Sequence, residues 1–502
     1  MNRVFGIETE YGIAVEGRSE IDVVQESIEI VRCYTEHGAA MKWDYQLEDP
    51  HQDARGFRAR ELLQDTDEAA YYEMDRQRPL SFEEIKSDLV LSNGARFYND
   101  HAHPEYSTPE CSRLAELVAQ DKAGERILHE CTRRRNARLP EGEQVRLYKN
   151  NTDFEGHSFG CHDNYLMARE VPWDRIVTAM VPFLVTRQIF AGAGKLGLEG
   201  ESAPAQPGLF QISQRSDFLT VLVSIDTMNR RPIINTRDEP HADIRRYRRF
   251  HCIIGDANMN EVATALKVGT TALVLSLIEK DLFPRIELAA PVEAAMQISR
   301  DPLCDWIVEL ADGRKISAID IQRLYLKAAQ DHLPKEDDET RWVLREWETV
   351  LDDLALDPMR CLDRVDWVAK KFLLSSFREE EKLEWSDPWL QSLDLEYHNI
   401  DPALGLYHEM TRSCTVRRFV TDEAIHDAIF HPPASTRAFF RGRAVAKFNA
   451  EIASIQWDEV VFRTPEGTRT VPLVEAFGDE TLGALNRRIV AARNVSDLFA
   501  AR

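Results

Sequence analysis

The sequence predicts an α+β protein whose sheet is mostly antiparallel. Short segments alternate apolar and polar residues, which is typical of half-buried strands. Long segments with helical spacing separate these strands, and no repeat period is visible along the 502 residues. An apolar share of 43% is enough for a substantial core, so a folded enzyme is expected.

The strand and helix patterns begin at the N-terminus. Residues 4–15 alternate and predict a strand, and helical spacing from Ile21 to Val31 predicts a helix after it. Thr108-Pro109-Glu110 offers an N-cap, a proline at the first helical position and an early acid, so a helix is expected to begin there. Further strands are predicted at 89–100, 145–149, 218–225, 232–237 and 250–255, and helices at 176–190, at 260–279 and over most of 303–396.

Two changes of pattern suggest how the chain is divided. From about residue 34 to residue 88 the periodicity fails and charged residues dominate, which is typical of a mobile loop or lid. The last seventy or so residues follow His431-Pro432-Pro433. We therefore expect a catalytic domain over 1–430, with a mobile insertion at 34–88, and a small C-terminal domain over 431–502.

Composition narrows the class of protein. A net charge of -23 argues against a general nucleic-acid binder, which needs a basic surface. The strongest apolar stretch, 176–194, is interrupted by Pro182 and Arg187 and predicts a buried helix, so no membrane association is expected. The start MNRVFGIETE does not resemble a signal peptide. Eight scattered cysteines without a CxxC pair suit a reducing compartment, and a cytoplasmic protein is expected.

The first strand carries two neighbouring carboxylates. Because alternate side chains of a strand share a face, Phe5, Ile7 and Thr9 are expected to be buried, and Glu8 and Glu10 to share the other face. Such carboxylates repel each other unless a cation lies between them, and oxygen ligands suit magnesium. Two solvated acids on an exposed strand are an equally good interpretation of this segment alone; the flanking glycines, which leave room for a ligand, favour the metal site.

The segment NGARFYND places a second polar set on one strand face. Arg96, Tyr98 and Asp100 would lie together there, and Glu105 follows just past the strand end. Arginine can hold phosphate, a tyrosine oxygen can join a metal shell, and an aspartate can act as base or nucleophile. An ordinary arginine–aspartate pair on an edge strand is the alternative. The nearby His-Ala-His lacks a second ligand cluster at zinc-like spacing, so zinc is not expected.

Three more candidates come from later segments. His162 in GCHDNYL could ligate a metal or contact phosphate, although a structural histidine explains it too. Arg237 and His241 in INTRDEPHAD suit the phosphates of a nucleotide, and a charged surface turn explains them as well. The chain has no GxxxxGK[ST] loop and no GxGxxG after a strand. Magnesium held by glutamates, with arginines on the phosphates, is another way to bind a nucleotide.

Six motifs in this order together resemble the family of Pup ligases and Pup deamidases/depupylases. They are FGIETEYG, NGARFYNDHAHPEYSTPEC, YKNNTD, GCHDNYL, INTRDEPHAD and GDANMNEVATALKVGTTALVL. The resemblance runs to about residue 280, with a weaker tail at RAFFRGRAVAKF and QWDEVVF. It implies a glutamine synthetase-like fold, a mostly antiparallel curved sheet packed with helices.

Within that family the chain is more similar to the deamidase branch. It has a long insertion before NGAR, containing WDYQLEDPHQDARGF, and its DHAHP is one residue shorter than the corresponding ligase segment. The resemblance implies ATP- and magnesium-dependent hydrolysis of Pup's C-terminal glutamine amide and of the Pup–lysine isopeptide bond. A Pup–protein ligase that uses ATP, and a non-catalytic ATP-binding Pup adaptor, are the alternatives.

The resemblance also implies roles for individual residues. Asp100 would be the catalytic carboxylate, either as nucleophile, which its cationic surroundings favour, or as general base. The magnesium ligands would be Glu8, Glu10, Tyr98 and Glu105, with His162 and His241 as further ligands or phosphate contacts. ATP would be bound by Arg96, Thr108, Arg237 and Trp457. The partners would be Pup, which is acidic and disordered, and pupylated proteins; candidates for a basic Pup groove are Arg245, Arg246, Arg248 and Arg249.

Overall fold

An antiparallel sheet of seven strands forms the centre of the computed structural model, which describes residues 3–35, 39–45, 49–62, 79–199, 208–227, 231–478 and 480–500. Neighbouring strands in this sheet all run antiparallel. In spatial order they are β15 (Tyr247–Cys252), β10 (Cys161–Ala168), β1 (Phe5–Glu10), β8 (His103–Ser107), β7 (Arg96–Asp100), β6 (Leu89–Leu91) and β3 (Ala40–Lys42).

Smaller sheets surround this one. The antiparallel pairs are β2 (Gly12–Glu16) with β9 (Gln144–Tyr148), β4 (Gln52–Asp53) with β5 (Phe57–Arg58), β11 (Lys195–Leu196) with β12 (Phe210–Gln211), and β16 (Ile307–Glu309) with β17 (Lys315–Ser317). A parallel pair is formed by β13 (Val221–Ser224) and β14 (Pro232–Asn235). A three-stranded antiparallel sheet is formed by β18 (Ile452–Ile455), β19 (Glu459–Thr464) and β20 (Gly467–Pro472).

Helices pack on and around the sheets. They are α1 (Val23–Thr35), α2 (Phe82–Lys86), α3 (Leu114–Asn136), α4 (Trp173–Ala191), α5 (Glu261–Glu279), α6 (Pro291–Arg300), α7 (Ala318–His332), α8 (Asp338–Leu356), α9 (Asp366–Glu381), α10 (Pro388–Tyr397), α11 (Leu406–Arg412), α12 (Asp422–Phe430), α13 (Ala438–Phe448) and α14 (Glu480–Ala491). The predicted α+β class with a mostly antiparallel sheet is therefore confirmed.

The largest hydrophobic core lies on the apolar face of the sheet, under α4 and α5. Phe5 and Ile7 of β1 share this cluster with Phe183 of α4 and Leu273 of α5. Helix α5 lies within the predicted range 260–279. It begins after Asn260, whose side chain accepts hydrogen bonds from the first turn. Its length and apolarity would suit a membrane span, but 94% of its most apolar window is buried within the fold, as in a core helix.

The helix predicted to begin at Thr108 does not begin there. Strand β8 ends at Ser107, and the Thr108 hydroxyl accepts a hydrogen bond of 3.0 Å from the backbone N–H of Ile7. The hydroxyl that would cap a helix is thus used to hold β1 against the following segment. Helix α3 starts at Leu114, and its first N–H donates to Glu339 at 2.9 Å, so the capping oxygen comes from another helix.

Other predicted elements differ from the structure in detail. The strand expected over 89–100 is a hairpin, because a turn separates β6 from β7. The region 303–396 is mostly helical but also contains the β16–β17 hairpin. Strand β10, which pairs with β1, was not among the predicted strands; the sequence showed only the motif GCHDNYL there.

The C-terminal part of the chain packs against the β3–β6 edge of the sheet. A separate hydrophobic cluster joins α13, α14 and β18–β20 to Trp43 and Val90. A boundary at residue 431 stays a prediction. The expected mobility of the insertion at 34–88 also stays a prediction, and residues 36–38, 46–48 and 63–78 of it lie outside the described residues.

Candidate active site

A cavity of about 340 Å³ lies over the polar face of the sheet. It brings together ten of the eleven residues that the sequence assigned to catalysis, metal binding or ATP binding, all except Thr108. These are Glu8, Glu10, Arg96, Tyr98, Asp100, Glu105, His162, Arg237, His241 and Trp457. Thr108 lines an adjoining cavity, which shares Glu8, His241 and Trp457 with the first. The predicted residues therefore form one continuous site.

Strand register explains why residues from distant segments meet here. Glu10 lies opposite Glu105, which in turn lies opposite Tyr98, so one row crosses β1, β8 and β7. Glu8 lies opposite His162 of β10. Side chains directly opposite each other on adjacent strands point to the same face of the sheet. The polar residues of neighbouring strands therefore lie side by side on one face.

The first group that could hold a metal consists of Glu10, Asp100 and Glu105. One carboxylate oxygen from each lies within 4.8 Å of the others. Glu105 is buried, and burial together with the charges of Asp100, Glu10 and Glu8 raises its pKa well above the usual value. A divalent cation would remove this repulsion, and a set of carboxylate oxygens fits magnesium.

The second group consists of Glu8, His162 and His251. His162 Nδ1 lies 3.4 Å from Glu8 Oε2, and His251 Nε2 lies 3.7 Å from the same oxygen. Burial opposes ionisation of Glu8, but the two neighbouring histidines and the charge of Arg249 hold its pKa well below the usual value. A carboxylate and two imidazoles can ligate a divalent metal.

His251 was missed by the sequence analysis, and its hydrogen bonding supports a ligand role. Its Nδ1 lies 3.2 Å from Asn235 Oδ1. Because the Asn235 amide nitrogen donates to backbone carbonyls, its oxygen must accept, and the imidazole proton therefore sits on Nδ1. Nε2 then carries a lone pair, is buried, and has no hydrogen-bond partner among the described residues. The alternation of Arg249 and His251 on β15 was the available signal.

Cationic side chains lie on the β15 side of the same cavity. Arg249 Nη1 is 3.3 Å from Glu8 Oε1, so this residue belongs to the site, whereas Arg248 is buried and donates to a backbone carbonyl. The arginines that suggested a basic Pup groove therefore do not share one surface: Arg249 faces the cavity and Arg248 does not. Arg237 lines the cavity, and within the described part of the chain its Nε has no partner. Burial and the charges of Arg249, Arg437 and Arg96 lower the pKa of His241 well below the usual value, so it is neutral.

Arg96 is held by aromatic rings and a carboxylate. Its Nε is 3.0 and 2.9 Å from the two oxygens of Asp88. The guanidinium carbon lies 4.3 Å from the ring centre of Trp43 and 4.4 Å from that of Tyr98. These contacts fix a planar donor group at the start of β7.

Asp100 lies at the other end of β7. Its Oδ1 is 2.5 Å from the Nζ of Lys86, a residue that the sequence analysis did not single out. Burial opposes ionisation, but the Lys86 charge, with His101 and Arg96, lowers the pKa of Asp100 far below its usual range. The carboxylate is therefore ionised and still 25% exposed to the cavity.

The adjoining cavity is narrower, at about 90 Å³, and lies between β1 and the C-terminal part. Its walls include Gly6, Thr108 and Trp457. A Cβ on Gly6 would come within 3.3 Å of the Thr108 hydroxyl, so glycine keeps this space open. The ring centres of Trp457 and Trp43 are 5.3 Å apart. The guanidinium carbon of Arg441 lies 4.6 Å from the ring centre of Trp457.

Comparison with known proteins identifies the family. The family model described as "Pup-ligase protein" matches residues 3–461. The chain is 45% identical over 488 residues to a depupylase of Acidothermus cellulolyticus, covering 95% of this chain and 94% of the relative. It is 43% identical over 474 residues to a Pup deamidase/depupylase of Mycobacterium tuberculosis, covering 92% and 91%.

Two solved structures are similar over most of the chain. The complex between Pup and its ligase PafA superposes with a TM-score of 0.79 and 32% identity, covering 97% of this chain and 92% of that one. The ligase PafA in complex with ADP gives a TM-score of 0.72 and 33% identity, covering 89% and 98%. Family model, full-length relatives and fold agree. The chain belongs to the Pup-ligase protein family.

Proposed function

We propose that this protein is a Pup deamidase and depupylase that hydrolyses a side-chain amide with the help of ATP and magnesium. The substrates are the C-terminal glutamine amide of Pup and the isopeptide bond between Pup and a lysine of a modified protein. The observation that carries the proposal is the ionised Asp100 carboxylate, which is exposed in the same cavity as Glu10 and Glu105 and as the group Glu8, His162 and His251. The names of the relatives, depupylase and Pup deamidase/depupylase, support the hydrolytic branch.

Two magnesium positions are proposed from the donor sets. Glu10 and Glu105, with Tyr98 beside them, would hold one cation, and Glu8, His162 and His251 the other. His241 lies on the same cavity and remains a candidate ligand or phosphate contact. Bound magnesium would neutralise phosphate charge and polarise the oxygens it contacts.

The nucleotide is proposed to span both cavities. The related ligase is solved with ADP, and ATP is proposed here. Arg96 and Arg237 would contact its phosphates, while Thr108 and Trp457 would contact the rest of the molecule in the narrower cavity. A bidentate guanidinium suits phosphate oxygens, and a tryptophan face suits a flat base.

Asp100 is proposed to act on the amide carbonyl carbon. An ionised carboxylate can attack directly, giving an anhydride that water opens, whereas a general base works best with a pKa near the operating pH. Because the Asp100 pKa is held far below that range, the nucleophilic role is favoured. In both routes the nitrogen leaves as ammonia or as the lysine amine after taking a proton.

The proposed partners are Pup and pupylated proteins, and the proposed location is the cytoplasm. The related ligase is solved in complex with Pup. All eight cysteines are free thiols and most are buried, which suits a reducing compartment.

The decisive experiment is an ammonia-release assay with Pup ending in glutamine, ATP and magnesium. We expect ammonia and Pup ending in glutamate, and cleavage of a Pup–lysine conjugate by the same preparation. Asp100→Asn should lower both rates by about 1000-fold or more, because the amide is a poor nucleophile and cannot accept the proton. Stoichiometric ADP without deamidation would indicate a ligase, and an Asp100→Asn variant as active as wild type would indicate that Asp100 has no catalytic role.

A further inference from the structure

A lysine at the end of the insertion reaches the candidate catalytic carboxylate. Lys86 is the last residue of α2, lines the same cavity as Asp100, and is 19% exposed. Its ammonium lies 2.5 Å from Asp100 Oδ1. The other oxygen, Oδ2, is 3.8 Å from His101 Nε2, which is beyond hydrogen-bond distance. The two oxygens of the carboxylate therefore have different surroundings.

The backbone that carries Lys86 is fixed on both sides. Helix α2 begins with a capping box between Ser81 and Glu84, and ends at Ser87 in a left-handed conformation with φ 46°. Asn99 of β7 donates a hydrogen bond of 3.1 Å to the carbonyl of Ile85. The end of α2 is thus tied to the strand that carries Asp100, so the backbone of Lys86 is held at a fixed distance from this carboxylate.

The same short segment also supports the other end of β7. Asp88, two residues after Lys86, binds Arg96 through both of its oxygens. Lys86 and Asp88 therefore contact the two charged side chains at opposite ends of this strand, Asp100 and Arg96. A carboxylate that must attack a carbonyl carbon needs a fixed orientation, which one charged contact to one oxygen supplies.

We propose that Lys86 is a positioning residue for amide hydrolysis: it binds Oδ1 of Asp100 and leaves Oδ2 directed toward the substrate. The inference rests on the proposed function and adds a residue outside the metal and nucleotide contacts. On the nucleophilic route, Oδ2 bonds to the carbonyl carbon, and the carbon–nitrogen bond breaks as nitrogen takes a proton from water. The hydroxide that remains then attacks the substrate acyl carbon of the anhydride, which breaks the bond to Oδ2 and restores the Asp100 carboxylate. Lys86 keeps its proton throughout.

The test compares Lys86→Met with wild type in steady-state ammonia release at saturating ATP and magnesium. We expect kcat to fall by about 100-fold, as for a misplaced reacting group, and KM for Pup to stay within about twofold. Lys86→Arg keeps the positive charge and should recover at least about tenfold of the loss. Binding of a fluorescent ATP analogue should be unchanged in both variants, which a collapsed site would not allow.

Lys327→Met is the matched control, because Lys327 also pairs with an aspartate, Asp331, but on the surface of α7. It should leave kcat unchanged. The inference is overturned if Lys86→Met keeps kcat within about threefold of wild type, if KM alone changes, or if Lys86→Arg is as poor as Lys86→Met. Lys86→Gln repeats the test if the methionine variant shows no cooperative thermal transition. Failure of wild type to release ammonia would instead contradict the proposed function.

Discussion

At the scale of single residues, Gly160 leaves no room for a side chain beside the site. Gly160 precedes β10 and lies against one side chain from each of the two groups that could hold a metal. A Cβ at this position would come within 2.2 Å of His162 Nε2 and 2.7 Å of Glu10 Oε1. Both atoms are the ends of side chains that can rotate, so a methyl group would displace these two proposed ligands and leave the backbone in place.

Gly160→Ala is therefore expected to lower deamidation by about 100-fold or more while the fold stays intact. The measurement is the rate of ammonia release as a function of magnesium concentration, together with the thermal midpoint. Gly483→Ala is the control, because its Cβ in α14 would meet the nearest atom, Arg487 Nη1, at an ordinary 3.4 Å. An active Gly160→Ala variant with unchanged magnesium dependence would contradict the ligand assignment.

At the scale of elements, helix α3 shows that local capping signals can be overridden. Thr108, Pro109 and Glu110 offer a helix start, but the sheet uses the Thr108 hydroxyl and α8 supplies the true cap through Glu339. Whether the helix starts at Thr108 or at Leu114 depends on Glu339, which lies far along the chain. A short sequence window around Thr108 does not include Glu339.

Glu339→Ala should destabilise the protein by about 1 kcal/mol, because it leaves the first N–H groups of α3 without an acceptor. Equilibrium unfolding in urea measures this difference in the free energy of unfolding. The comparison is Glu348→Ala, an exposed glutamate on the same helix α8, which should change stability much less. Equal effects of the two substitutions would show that Glu339 does not act as a cap.

At the scale of the whole molecule, ion pairs join the segment that follows β8 to the C-terminal part. Glu110 lies 2.7 Å from Arg437 Nε and also contacts Arg441 of α13. Burial opposes ionisation, but the charges of Arg441 and Arg437 lower the pKa of Glu110 from 4.5 to about 2. Because Glu110 and Arg437 also line the narrower cavity, this tie holds a wall of the proposed nucleotide site.

Glu110→Gln should lower the free energy of unfolding by about 3–5 kcal/mol at pH 7, because it leaves buried arginines unpaired. A folded-state pKa below the unfolded value means that the stabilisation is complete above about pH 4.5 and is lost as pH falls toward about 2. The difference between wild type and variant should therefore shrink on acidification. Unfolding followed at several pH values measures it, with exposed Glu466→Gln as control; a difference independent of pH would contradict the assigned pKa.

Much of the site could be predicted because each strand encodes its own faces. Glu8 and Glu10 share a face of β1, and Tyr98 and Asp100 share a face of β7, as alternation requires. Each residue that the sequence assigned to catalysis, metal binding or ATP binding lines one of the two adjoining cavities, whereas Arg245, Arg246 and Arg248, candidates for a Pup groove, line neither. The roles given to these residues stay predictions until the variants are measured.

The sequence by itself determined the fold class, the polar strand faces, the core helix α5 and, through its motifs, the family. The first three depend on local periodicity, and the family depends on the order of the six motifs along the chain. Only the tertiary structure decided that His251 lies beside Glu8, that Lys86 contacts Asp100, and that the Thr108 hydroxyl binds the backbone of β1. Strand order, register and the docking of α2 created those contacts between distant segments, and local backbone geometry carries no information about such pairings.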